Sequence, residues 1–62
     1  MNSKISNKVL VYLKMELGLS YSVIHLGIKL SKRNNISLPL TLWSYSLITI
    51  EELDKFYEFL WS

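Results

Sequence analysis

The sequence predicts an all-α domain, a compact body of four helices arranged as two helix–turn–helix hairpins. Three observations carry that prediction. Apolar residues recur at steps of three and four; Gly18, the Asn34-Asn35 pair and Pro39 stand where helices stop or start; and Thr49-Ile50-Glu51-Glu52 reads as a capping box at the head of an amphipathic segment. The 62 residues make one domain, spanning 1–62, and a body of that size buries only about 60% of the surface its unfolded chain exposes.

The first helix is expected over about residues 4–17, where Ile5, Val9, Leu10, Leu13 and Leu17 form one stripe. Gly18 suits a left-handed C-cap and Ser20 the next N-cap, so Gly18-Leu19-Ser20 forms a tight turn. The second helix follows over about 21–33, with Ile24, Gly27, Ile28 and Ser31 as a stripe flanked by Val23, Leu26 and Leu30. Gly27 costs about 1 kcal/mol of helix propensity relative to alanine. Its place in mid-stripe is expected to let another helix backbone come close. Lys29, Lys32 and Arg33 crowd the last turns, where cations suit the negative helix end, before Asn34-Asn35 stops the helix.

Ser37 is expected to cap a short third helix over about 38–45, with Pro39 in its first turn, where a missing amide hydrogen does no harm. Ser37, Thr41 and Ser44 would leave a narrow wet strip, with Leu38, Leu42 and Tyr45 on one side and Leu40, Trp43 and Leu47 on another. A helix greasy on two sides is either central or half covered by a partner. The fourth helix, about 50–61, starts at the capping box; Ile50, Leu53, Phe56, Tyr57 and Leu60 form its expected inner face, with Glu51, Glu52, Asp54, Lys55 and Glu58 largely outside and Phe59 and Trp61 off the stripe. The turn before the second helix resembles the one before the fourth, and two αα-hairpins packed face to face would bury both stripes.

Composition limits what such a domain does. Half of the residues are apolar, with two Trp, four Tyr and two Phe, more greasy surface than one small core can hide, which points to an exposed patch and to partner binding or self-association. The absence of cysteine excludes disulfides and thiolate metal sites. The longest apolar run, Val9 to Leu13, is far short of the roughly 20 residues of a spanning helix, and Lys4 and Lys8 precede no hydrophobic signal core. A cytoplasmic location is expected.

Net charge is +2 but uneven. Residues 1–35 hold six Lys/Arg and one Glu, giving +5, whereas residues 36–62 hold one Lys and four Asp/Glu, giving −3. The bland reading is solvated charge on outer helix faces; steering a partner, orienting a dimer and internal pairing of the halves are the alternatives.

No residue set suggests catalysis, a metal or a cofactor. His25, the only histidine, falls with Tyr21 and Lys29 on the wetter side of its helix and has no acidic or thiol neighbour in sequence. Glu51, Glu52 and Asp54 lie in the first turns of a helix, where capping and the helix dipole explain them. Lys29, Lys32 and Arg33 could contact phosphates, but the candidate recognition helix is acidic and a duplex would repel it. Trp43, Tyr45, Phe59 and Trp61 are the candidate partner-binding residues; for Trp43 helix-junction packing is the favoured alternative, because the helices around it need a large filler.

Leu17-Gly18-Leu19-Ser20, and the segment Leu38-Pro39, Leu42-Trp43, Leu47-Ile48-Thr49 and Leu53-Asp54, resemble a family of short cyanobacterial proteins classed as a domain of unknown function. In that family a Leu-Gly-Leu-Ser turn precedes a Leu-Pro-x-x-Leu-Trp-x-x-Gly-Leu-Ile-Thr segment, and the likeness covers about residues 13–61. Ser46 stands where the family pattern has glycine, which tolerates positive φ better than serine. The resemblance implies a small α-helical protein with no assigned activity. More remotely, Leu47 to Leu53 is similar to a Gly-Leu-Ile-Thr-x-x-x-Leu hairpin in N-terminal domains of secretion ATPases, some of which bind cyclic dinucleotides. Ser37-Leu38-Pro39 replaces the Arg-Leu-Gly opening of that nucleotide motif, so the hairpin is carried over and the ligand is not. The expected function is a non-enzymatic protein–protein interaction module, a small adaptor or regulatory subunit docking on a larger protein through the third and fourth helices. A nucleic-acid-binding regulator using Lys29, Lys32 and Arg33 is the alternative.

Overall fold

Three of the helices are preceded by a serine whose backbone is still extended, Ser6, Ser20 and Ser37. In the computed structural model, which describes residues 6–61, the elements are α1 (Asn7–Met15), α2 (Tyr21–Asn34), α3 (Leu38–Ser44) and α4 (Ile50–Trp61). The expected start of the first helix, with Lys4 and Ile5, lies outside the described residues. The Ser6 and Ser20 hydroxyls accept from the amides of Val9 and Val23, both at 3.2 Å. At α4 the capping box is complete: the Glu52 amide donates to Thr49 Oγ1 at 3.1 Å and the Thr49 amide to Glu52 Oε1 at 2.9 Å.

Ser37 departs from expectation. It has the extended backbone of an N-cap, but its side chain makes no capping bond; the hydroxyl lies 3.1 Å from that of Tyr57 on α4. The Thr41 amide and hydroxyl both turn back onto the Ser37 carbonyl, at 3.0 and 2.8 Å. The cap side chain thus joins α3 to α4 instead of closing its own helix.

Two helices end in Schellman turns, each built on a left-handed residue. Asn35 (φ 56°) ends α2 with bonds from the Ile36 amide to Ser31 and from the Asn35 amide to Lys32; Ser46 (φ 61°) follows α3 with bonds from the Leu47 amide to Leu42 and from the Ser46 amide to Trp43. Gly18 is also left-handed, φ 66°. There the Leu17 amide reaches Tyr12 and the Leu19 amide reaches Leu13, a wider turn that ends α1 at Met15, earlier than the expected residue 17.

Ser46 therefore holds the conformation that glycine adopts most readily, without being glycine. A left-handed L-residue costs roughly 1–2 kcal/mol, and about 0.4–1 kcal/mol of any gain from glycine is lost to the freer unfolded chain. Ser46→Gly is expected to stabilise the fold by about 0.5–1 kcal/mol, raising the melting temperature by a few degrees. Thermal unfolding followed by circular dichroism measures it.

The core is Leu13, Ile24, Leu42, Ile48, Leu53 and Phe56, drawn from all four helices and the last turn. Val9, Leu10, Leu17, Ile28 and Leu38 pack against it, as their stripes predict. Two expectations fail here. Thr41 is fully buried rather than part of a wet strip, its hydroxyl satisfied by the Ser37 carbonyl. Gly27 is buried, but what approaches it is a side chain and not a backbone: a Cβ at Gly27 would lie 2.6 Å from Leu42 Cδ2 and 3.4 Å from Leu38 Cδ1. The missing methyl lets α3 settle into α2 through Leu42. On the other side, Tyr12 stacks on Phe56 at 5.7 Å and on Phe59 at 4.1 Å, joining α1 to α4.

Candidate interaction surface

The rotation of α4 decides which aromatic residues reach solvent. Leu53 and Phe56 are buried and Phe59 is drawn in against Tyr12, while Ile50 is 56% exposed and Leu60 is exposed too. The inner face is thus centred on Phe56, with Glu52 and Phe59 on its flank. Ile50 sits about 120° of helix rotation from Phe56, too far to share that core. Two assignments are corrected: Ile50 and Leu60 are not inner residues, and Phe59 is a packing residue that stacks on Tyr12. The ring of Tyr12 offers an aromatic face that no pattern within α4 could reveal.

Trp61 is 84% exposed and Trp43 42% exposed, and Tyr45 is exposed beside its long 3.5 Å contact with the Asn34 amide nitrogen. Trp43 is therefore not the junction filler that its size suggests. Leu42 and Thr41 occupy the inward positions of α3, where close approach to Gly27 leaves no room for an indole. Leu40 joins Trp43 on the open side. On α4, Ile50, Leu53 and Tyr57 line a shallow cleft of about 340 Å³ edged by Glu51 and Asp54. Trp61 follows Ile50 and Tyr57 at helical spacing, on the same side of α4. The second hairpin thus presents large apolar side chains in an acidic frame.

The first hairpin presents the opposite charge. His25, Lys29, Lys32 and Arg33 are exposed, and the first three line a depression with Leu26 and Ile28. Among the described residues no ion pair joins this basic side to Glu51, Asp54 or Glu58, so the two charge sets are not neutralised internally. Lys14 lies 4.2 Å from the centre of the Tyr21 ring, a cation–π contact across the first hairpin. The Tyr12 hydroxyl titrates above its ordinary range, chiefly because burial penalises the phenolate and then because Glu16, Glu58 and Glu52 add negative charge nearby. It stays neutral at any pH the cell reaches. Among the described residues no three His, Asp or Glu side chains gather as a metal site, and no helix is long and apolar enough to cross a membrane.

A family model described as a protein of unknown function, DUF2949, matches residues 6–61, the stretch that holds all four helices and the three turns between them. The chain belongs to this family. No curated protein and no solved structure matches it. In this DUF2949 member, the exposed apolar residues that sequence reasoning missed include Ile50, Leu60, Leu40, Leu26, Ile36, Val11 and Met15. A wheel centred on Phe56 would have placed Ile50 outside. Val11 and Met15, four apart and off the Val9–Leu13 stripe, were legible as a second apolar line on α1.

Proposed function

We propose that this DUF2949 protein is a cytoplasmic, non-enzymatic interaction module that docks on a larger protein through the outer side of its second hairpin. The observation that supports it is the exposure of Trp43, Tyr45, Ile50 and Trp61 on α3 and α4, in a domain whose aromatic residues would otherwise be needed inside. Tryptophan and tyrosine anchors of this kind dominate binding energy where they enter pockets. Glu51 and Asp54 beside Ile50 suit a partner with an apolar groove rimmed by lysine or arginine. The cyanobacterial origin implied by the Leu38-to-Thr49 pattern suggests the cell in which to look.

The test is a tagged pull-down from the native cell read by mass spectrometry, repeated with Trp43→Ala/Trp61→Ala. Far-UV circular dichroism checks that the double variant folds, and the specific partner is expected to bind about 30-fold more weakly or be lost, the size of a tryptophan hot spot. A pull-down that recovers no partner, or a partner that ignores the double variant, rejects the reading.

A second reading rests on the exposed row His25, Lys29, Lys32 and Arg33 along one side of α2. As a nucleic-acid surface it would give binding that weakens steeply with salt and with alanine at Lys29, Lys32 and Arg33. Absence of retardation at low salt excludes it. The acidic α4 weighs against it, since a duplex lying across both hairpins would meet Glu51, Asp54 and Glu58.

A further inference from the structure

Helix α1 carries charges of the wrong sign for its own ends. The positive end of a helix dipole is its N-terminus, so anions belong in the first turn and cations in the last. In α4 Glu51 and Glu52 obey this, and in α2 so do Lys32 and Arg33. The first turn of α1 contains Lys8 and no acid, while its C-cap residue is Glu16. Only Lys14 follows the rule there, and it is held over Tyr21. Among the described residues neither Lys8 nor Glu16 forms an ion pair that would offset the reversal.

Lys8 and Glu16 edge one open cleft, whose lining includes Val11, Met15 and, as its floor, Tyr12 stacked on Phe59. Val11 is 52% and Met15 75% exposed, an apolar line between two opposite charges. That pattern is complementary to itself. When two antiparallel helices cross near Tyr12, Lys8 of each copy meets Glu16 of the other and Val11 of each meets Met15 of the other. The helix dipoles also run in opposite directions, so each Lys8 approaches the negative end of the neighbouring α1 and each Glu16 the positive end. The charges that are wrong for one helix are right for its antiparallel neighbour.

We propose that this α1 face pairs with the same face of a second copy about a two-fold axis near Tyr12, giving a homodimer. The interface is separate from the aromatic surface of the second hairpin, which stays open on both copies and makes the dimer bivalent for its partner. A helix about 14 Å long covers less than the roughly 800 Å² per partner of a standard complex, so association is weak and reversible, with a dissociation constant between about 1 μM and 1 mM.

Sedimentation equilibrium across that concentration range tests it. The wild-type mass is expected to rise from 7.3 kDa toward twice that value. Lys8→Glu places glutamate opposite glutamate at both ends of the axis and Glu16→Lys places lysine opposite lysine, so each variant alone is expected to associate roughly tenfold more weakly or not at all. Mixed together, the two variants restore an opposite-charge pair at every contact and form a heterodimer; Lys8→Glu/Glu16→Lys in one chain restores the homodimer. Both reversals agree with the α1 dipole, and far-UV circular dichroism confirms that the variants fold. The inference is overturned by a wild type that stays at 7.3 kDa, by a dimer indifferent to the single reversals, by a mixture that does not pair, or by a dimer that Trp43→Ala/Trp61→Ala abolishes. A failed pull-down leaves these outcomes untouched, so the two proposals fail separately.

Discussion

Phe56→Ala is expected to remove about half or more of the stability of this fold. Phe56 is among the largest fully buried side chains, and its ring also stacks on Tyr12, holding α4 to α1 across the core. Removing a buried phenylalanine costs about 3–5 kcal/mol, from lost burial plus the cavity left behind. A chain of 62 residues has a total stability of roughly 3–9 kcal/mol, and this one has no disulfide to limit its unfolded state. The variant is expected to melt at least about 10 °C below wild type. A melt within a few degrees of wild type would mean that the core does not depend on this aromatic junction.

Gly27→Val is expected to destabilise by about 2 kcal/mol, roughly a 10 °C fall in melting temperature. Valine improves helix propensity by only a few tenths of a kcal/mol over glycine, whereas its Cβ would lie 2.6 Å from Leu42 Cδ2, in a side chain that is itself fully buried. The effect should couple to its cause. In a Leu42→Ala background, already weakened by about 2–5 kcal/mol, Gly27→Val is expected to be neutral or stabilising, because the space that the valine needs is then empty. Denaturant melts of the four proteins give the coupling energy. Additive losses would show that Gly27 is present for a reason other than Leu42.

The parts of this fold that were legible in sequence are those fixed locally. Ser20 and Thr49 cap with their own side chains, Asn35 is tolerant of left-handed geometry, and Gly18 needs no tolerance at all; each acts within a few residues, and the starts of α2 and α4 and the end of α2 follow. What was not legible depends on residues far away in sequence. Ser37 gives up its capping bond because Tyr57 is within reach, twenty positions on. Thr41 goes inside and Trp43 outside because α3 is pressed against Gly27, where a small residue with an internally bonded hydroxyl fits and an indole does not. Phe59 turns inward for the sake of Tyr12. In each case the pattern along the helix misleads, and a partner on another helix decides.

These corrections shape the candidate surface. Removing Phe59 from it and adding Leu40 and Ile50 moves the apolar area toward the outer side of α4 and the open side of α3, next to Glu51 and Asp54. The surface is therefore aromatic and acidic, opposite in charge to α2. That separation makes the competing proposals experimentally distinct: a protein partner engages tryptophans, and a nucleic acid engages lysines.

The most direct measurement is a titration of isotope-labelled protein with the recovered partner, followed in the nitrogen–proton spectrum. The chain has two tryptophans, both exposed in the free protein, and each indole N–H gives its own resonance. Docking through the second hairpin predicts that both indole signals shift or broaden, together with the amides of Tyr45 and Ile50, while those of His25, Lys29 and Lys32 stay in place. Indole resonances that do not move while the α2 amides do would contradict the account.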